Sequence, residues 1–461
     1  MRLFLLLAVA ATFGFSQSDP HSIIQRAADV TGFSKNAGKI LHWHDMQGVE
    51  HDYESPAPFI TIPSSREAWF DPTTGVERAS VVTLFPGSKQ GKPAVTLLTP
   101  RGIFSVRDRV TAAVSGSAGV ERDLNLWAVL TDWVNAKDLR LLPNQVYADY
   151  PRQVLARRGE FGEERLFIDP KTGFPVKLDR DEPHYLWGQV HVEYVYTFVS
   201  GAIPTAAARV VDGFKTITRT IGDFEFIDRS NSPDTALPDV APAASVPLFL
   251  QPLAPARIDV SKNIFLSVNR GYTEAVALIE GTIYVLDSTQ GEQRAKQDLE
   301  MIQKAFPGPH PIVLVVTDLA WPHIAGIRFW VSQGATVISH RASKAFLEKV
   351  IARRWTMAPD TLERNRKKMT FVAVDQDLTM GGGKLKLTAI DGIGSEGALM
   401  AYLPGDRLLW ASDYIQSVTR PTEYTAEVFQ AVRRAGFAPE QVAAMHIPLT
   451  EWSKIAAMQT K

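Results

Sequence analysis

The chain has 461 residues, 45% of them apolar and 21% charged, and a formal net charge of -1. That length allows two or three domains of roughly 100–200 residues each, and the balanced charge excludes a broad surface for nucleic acid or anionic membranes. Cysteine is absent, which excludes disulfides and thiolate metal sites, so any metal must be held by His, Asp or Glu.

Residues 1–16 read as a secretory signal. Arg2 is the charged flank, Leu3 to Phe15 form the apolar stretch, and Gly14 and Ser16 permit cleavage before Gln17. The stretch is shorter than the about 20 apolar residues that span a bilayer. The expectation is a periplasmic or extracellular protein with no transmembrane segment in its mature form.

Residues 20–228 form the first expected domain. His21 to Thr31 has helical spacing, and Glu121 to Val134 is amphipathic and predicts a second helix. Strand signals dominate the rest, from Ile40–His44 to Phe214–Ile221. The clearest is His191 to Phe198, where apolar or aromatic residues alternate with polar ones. The reading is a meandering, mainly antiparallel β domain. Arg165 to Lys177 gives a strand, an Asp169-Pro170-Lys171-Thr172-Gly173 turn and a second strand. This hairpin resembles one in the lipoprotein-carrier-like half-barrels of bacterial envelopes. The resemblance implies a curved antiparallel sheet able to hold an acyl chain.

His42 and His44 stand two apart on a predicted strand, so they share a face and can share an ion. Asp45 and His51 are nearby, but spacing fixes no third ligand, and the pair reads first as an exposed or half-buried strand face beside Trp43. His184 and His191 carry no motif and read as surface or groove residues. Residues 229–258 hold Pro233, Pro238, Pro242, Pro247, Pro252 and Pro255. That composition predicts a semi-rigid, extended linker.

Residues 259–461 alternate strands and helices, which implies helices covering sheets. Glu292 to Phe306 places Ala295, Leu299, Ile302 and Ala305 on one helical face. Ile312 to Val316 is an apolar strand. It is followed by the loop Thr317-Asp318-Leu319-Ala320-Trp321-Pro322-His323 and a helix from Ile324 to Gln333, closed by Gly334. Downstream come Asp391 to Gly397, the hairpin Leu403 to Asp413 with its Pro404-Gly405-Asp406 turn, and Met445-His446-Ile447-Pro448.

These pieces, with Tyr272 to Gln290 as an opening hairpin ending at Asp287, resemble the metallo-β-lactamase superfamily in its own order. The resemblance covers about 190 residues and implies an αββα sandwich. In that family the loop carries a His-x-His-x-Asp-His cluster. The corresponding residues here are Asp318, Ala320, Pro322 and His323. One metal position would draw on Asp318, Ala320, Gly394 and Asp413, of which alanine and glycine offer no side-chain ligand. The other would draw on Pro322, His323, Asp413 and His446, and keeps three of four. The resemblance therefore implies a single Zn²⁺ or Fe²⁺ on His323, Asp413 and His446, or no metal where the three are relics of a lost site. Asp318 would act as an extra ligand or as a base. His340 falls outside the set and reads as structural.

Two functions follow as expectations. One is a secreted mononuclear metal-dependent hydrolase. The other is a non-catalytic envelope protein that binds a lipid or other apolar ligand and uses the lactamase fold as a scaffold. Hydrolysis of β-lactams does not follow, because fold does not fix substrate and the dinuclear set is incomplete.

Overall fold

Three sheets organise the computed structural model, with thirteen, seven and six strands among the described residues. Those residues are 19–50, 63–84, 92–107, 110–114, 119–199, 201, 203–242, 253–320, 323–392, 397–419, 421–422 and 424–460. The signal segment, His51, Pro322 and Gly394 lie outside them.

The thirteen-stranded sheet runs from Val110–Val114 at one edge to Arg140–Tyr147 at the other. All its neighbouring strands are antiparallel. Ile40–Val49 lies in its interior, sixth from the Val110–Val114 edge, flanked by Ser64–Asp71 and Phe214–Ile227. Alternation works as the sequence implies. In Gly188–Thr197 the side chains of Val192, Tyr194 and Tyr196 are buried, while His191 and Glu193 face outward. The Asp169 turn also forms as its chemistry dictates: Asp169 Oδ1 accepts the N–H groups of Lys171 and Thr172 at 2.8 and 2.9 Å.

Two helices pack on the apolar face of this sheet. Pro20–Val30 starts at Asp19, whose carboxylate accepts the Ser22 N–H at 3.2 Å. Leu126–Val134 starts at Asn125, which accepts the Trp127 N–H at 3.0 Å. That cap splits the single helix expected over Glu121–Val134 into a short turn, Gly119–Arg122, and a separate helix. Ile24, Ala27, Trp127 and Trp133 share one core with Leu41, Trp43, Phe70 and Tyr194. A cavity between Leu41, Trp43, Trp127, Ile221 and Phe224 measures ≈ 20 Å³, room for about one water.

The proline-rich segment is tied to the first sheet. Arg101 donates to the carbonyls of Pro238 and Val240 at 3.2 and 3.1 Å. Arg229 pairs with Asp71. No helix or strand forms over residues 232–242.

The other two sheets face each other across a core of Leu266, Leu286, Val315, Leu387, Leu399 and Trp410. In the seven-stranded sheet the first four strands are antiparallel and the last four parallel. Helices Glu292–Ala305, Ile327–Gln333 and Lys344–Ala352 cover its outer face. Thr425–Arg434 and Trp452–Ala456 cover the outer face of the six-stranded sheet. The layers are therefore helix, sheet, sheet, helix.

The outer helices of the seven-stranded sheet also touch the first sheet. Trp187 meets Phe346 edge to face with ring centroids 5.6 Å apart. Arg353 pairs with Asp212 at 2.6 Å. A Cβ on Gly188, at φ +77°, would stand 2.2 Å from Trp355 Cγ. The reading of His184 as a surface residue is corrected here. It is buried, and its Nδ1 accepts the N–H groups of Leu186 and Trp187 at 3.1 and 3.2 Å, which sets the turn that delivers Trp187. No helix among the described residues is long and apolar enough to cross a membrane.

Candidate metal centre

Three chain segments converge at one end of the facing sheets. The first leaves the buried strand Ile312–Val315, which is parallel to both its neighbours. It continues to Asp318 and turns toward helix Ile327–Gln333. His323 lies in that turn. Its N–H donates to Ala320 O at 2.9 Å, and its carbonyl accepts the Ser288 N–H at 3.0 Å. Ser288 O accepts the Gly326 N–H at 3.0 Å. A Cβ on Gly326 would stand 2.1 Å from Ser288 Oγ, so the close approach requires glycine.

The second segment leaves strand Leu408–Trp410 through Ser412, which has φ +54°. A non-glycine residue adopts that conformation only where its surroundings enforce it. Here Ser412 is fully buried, and its hydroxyl is hydrogen-bonded with Thr317 Oγ1 at 2.7 Å. Asp413 follows. The third segment is the tight turn between Gln441–Ala444 and Ile447–Glu451. Its Met445 donates to Ser412 O at 2.9 Å and accepts from Thr273 N at 2.7 Å. That fixes His446 beside Asp413.

Asp287 locks the first two segments together. Its carboxylate accepts the Thr317 N–H at 2.7 Å, the Trp410 indole N–H at 2.8 Å and the Thr317 hydroxyl. Burial pushes Asp287 up to about 7, against these donors.

One ligand atom each from His323, Asp413 and His446 lies within 4.8 Å of the others. His323 Nδ1 is 3.0 Å from Asp318 Oδ1. His446 Nδ1 is 3.0 Å from Gly271 O. With both Nδ1–H groups committed to acceptors, each neutral ring turns a lone pair outward at Nε2. Asp413 Oδ2 accepts from Gln416 Nε2 at 3.0 Å. Asp413 Oδ1 is buried, and among the described residues no donor meets it with hydrogen-bond geometry. It lies 3.2 Å from His446 Nε2.

That donor set fits a metal ion. Two imidazole nitrogens and one carboxylate oxygen suit Zn²⁺ or Fe²⁺. A tetrahedral ion with bonds near 2.0–2.1 Å spaces its ligands by about 3.3 Å, which matches the 3.2 Å separation of Asp413 Oδ1 and His446 Nε2. Protons compete with an ion for the same lone pairs. Burial works against charge on His323, but the Asp318 carboxylate outweighs it and pushes the ring up to about 9. Asp413 raises His446 as well.

Of the residues named from the sequence, the structure brings His323, Asp413 and His446 together. Asp318 stands behind His323, its Oδ1 accepting also from the Ala320 N–H at 2.6 Å. Ala320 is buried and offers no side-chain ligand. His340 caps a short helix, its Nδ1 accepting the Ala342 N–H at 3.2 Å. Sequence reasoning did not single out Tyr272, whose ring lies 5.0 Å from that of His446 and 6.3 Å from that of His323. Nor did it find Gln416 or the carbonyl of Gly271. A carbonyl leaves no trace in residue type, and Tyr272 stood in the opening hairpin without a partner to mark it.

No protein-family model matches the chain, and no curated protein matches it. Among solved structures it is similar to the DIM-1 metallo-β-lactamase, at 15% identity over 45% of this chain and 97% of that chain, with a TM-score of 0.35. It is also similar to a metallo-β-lactamase from Pontibacter korlensis, at 13% identity over 45% of this chain and 98% of that chain, TM-score 0.35. The VMB-1 structure at pH 5.5 compares at 13% identity, 45% and 95% coverage and TM-score 0.35.

Proposed function

We propose that residues 259–461 form a divergent metallo-β-lactamase-like unit that holds one divalent ion on His323, Asp413 and His446 and acts as a hydrolase. The observation that carries this reading is the convergence of the buried Asp413 Oδ1 with two histidines whose Nδ1 atoms are both held by acceptors. The helix–sheet–sheet–helix layering supports the fold assignment, as does the order of the sequence motifs. Export through residues 1–16 belongs to the same reading and rests on the sequence.

A Zn²⁺ or Fe²⁺ bound there would supply Lewis acidity toward a substrate carbonyl or phosphoryl oxygen. The chain's own residues set the geometry. Asp318 orients His323, Gly271 O orients His446, and Gln416 fixes Asp413. Tyr272 walls the centre. Burial and then Asp413 raise its hydroxyl, so it stays protonated at neutral pH and can donate to a substrate oxygen. Asp318 acts through His323 in this arrangement.

The alternative, an apolar ligand held in the first sheet's half-barrel, has less support. Among the described residues helices pack on the sheet's apolar face, and the ≈ 20 Å³ cavity between them has no room for an acyl chain. The test is metal content and turnover in untagged full-length protein purified without chelator. His446→Ala should lower bound zinc or iron by one ion per chain and abolish hydrolysis of activated aryl esters and phosphodiesters. Equal metal content in the variant and the parent sinks the proposal.

A further inference from the structure

We propose a second divalent-metal site, on the outer face of the thirteen-stranded sheet, with His42, His44 and Glu67 as ligands and Glu225 as the residue that orients His42. It is independent of the centre between the facing sheets.

The site follows from register. His42 and His44 lie two apart on strand Ile40–Val49 and so share a face. Glu67 pairs directly opposite His44 on one neighbouring strand, and Glu225 pairs opposite His42 on the other. A bulge between Trp43 and Asp45 interrupts the pairing with Phe214–Ile227 at His44, and bulges re-aim side chains. Trp43 and Asp45 point to the opposite face, where Asp45 is consumed by Arg66 and the Trp43 indole.

His42 is held on all sides. Its ring stacks on Trp69 with centroids 5.0 Å apart and planes 6° from parallel. Its Nδ1 lies 3.0 Å from Glu225 Oε1 and its Nε2 3.1 Å from Glu67 Oε1. A neutral imidazole has one N–H and one lone pair, so it cannot donate to both carboxylates. One contact would set a lone pair against a carboxylate oxygen. Two occupants cure this: a second proton on the ring, or a cation between Nε2 and Glu67.

The neighbours favour the cation. His44 Nε2 lies 3.7 Å from the same Glu67 oxygen. The three ligand atoms fall within 4.8 Å of one another. The 3.1 and 3.7 Å separations bracket the about 3.3 Å spacing of ligands around a tetrahedral ion. Glu225 on Nδ1 is the carboxylate–histidine pairing that accompanies metal-bound imidazole. Among the described residues no lysine or arginine pairs with Glu67 or Glu225. A similar triad, Asp179, His191 and Glu193, makes the contrast. There Lys177 Nζ sits 2.9 Å from Asp179 and 2.6 Å from Glu193, so the chain supplies its own cation. At His42 the positive charge must come from outside. Two imidazoles and a carboxylate suit Zn²⁺ or Cu²⁺, and the exposed flank of His44 leaves a coordination position toward solvent.

The experiment uses untagged full-length His446→Ala protein, which lacks a ligand of the other centre, stripped with chelator and titrated with Zn²⁺ alone. One Zn²⁺ per chain should bind and raise the Tm. Adding His44→Ala, at an exposed position, should weaken binding at least about tenfold. Adding Glu225→Gln should weaken it by about tenfold while leaving the stoichiometry at one. If His446→Ala protein is poorly folded, Asp413→Asn replaces it as background. No stoichiometric Zn²⁺ in a folded background overturns the proposal and leaves a proton as the occupant. Zn²⁺ binding indifferent to both His44→Ala and Glu67→Gln overturns it as well.

Discussion

The indole N–H of Trp410 donates to the Asp287 carboxylate at 2.8 Å, joining the end of a strand in one sheet to the end of a strand in the other. The same carboxylate takes the Thr317 N–H, so one side chain holds the loops that carry His323 and Asp413. Asp287→Ala should leave the Thr317 N–H and the Trp410 indole N–H without partners, at about 1–3 kcal/mol each, while the Thr317 hydroxyl keeps Ser412. Urea unfolding should show a loss of about 2–5 kcal/mol. A loss under about 1 kcal/mol would mean that the sheets are registered by packing alone.

Asp287 also sets a pH dependence. Its folded value of about 7 lies well above the usual carboxylate value of about 4, so between the two the folded chain holds a proton that the unfolded chain releases. Stability therefore falls as pH rises from about 4 to about 7, by an amount on the order of 3 kcal/mol. Asp287→Asn carries no titrating proton and should flatten that fall. Urea midpoints measured across this range for both proteins decide the matter, and parallel profiles would refute it.

Asp318→Asn should separate orientation from ligation. The variant keeps the shape of the side chain but weakens the hold on His323 Nδ1. Zinc affinity at this centre should drop about 10–100-fold with the stoichiometry unchanged. Loss of the ion altogether would make Asp318 a ligand.

The contact between Trp187 and Phe346 predicts joint unfolding of the first sheet and the layered half. Trp187→Ala removes a fully buried indole and should cost about 3–5 kcal/mol. Gly188→Ala forces a Cβ against Trp355 at a positive φ. Calorimetry should resolve two transitions in Gly188→Ala where the parent shows one. A single transition in both would place the coupling elsewhere.

The order of strands and helices after residue 259 was legible because its apolar runs are short, buried and bounded by glycine or turn residues. His323, Asp413 and His446 were legible through a resemblance, not through spacing, since they lie far apart in the chain. What escaped was long-range pairing. Nothing near His42 in sequence points to Glu67 or Glu225, which register alone brings to it. His184 looked like a surface residue because its partners are backbone N–H groups. The single helix expected over Glu121–Val134 overlooked that Asn125 caps more strongly than it continues a helix.

The place of Ile40–Val49 inside the first sheet bears on synthesis. Ile40–Val49 is made early, but one of its two neighbours, Phe214–Ile227, emerges roughly 165 residues later. At the usual 5–20 residues per second, that edge stays unpaired for about ten to thirty seconds. Throughout that interval the nascent chain offers a bare strand to any other nascent chain. Slowed elongation between residues 50 and 214 should therefore lower the yield of folded protein by aggregation.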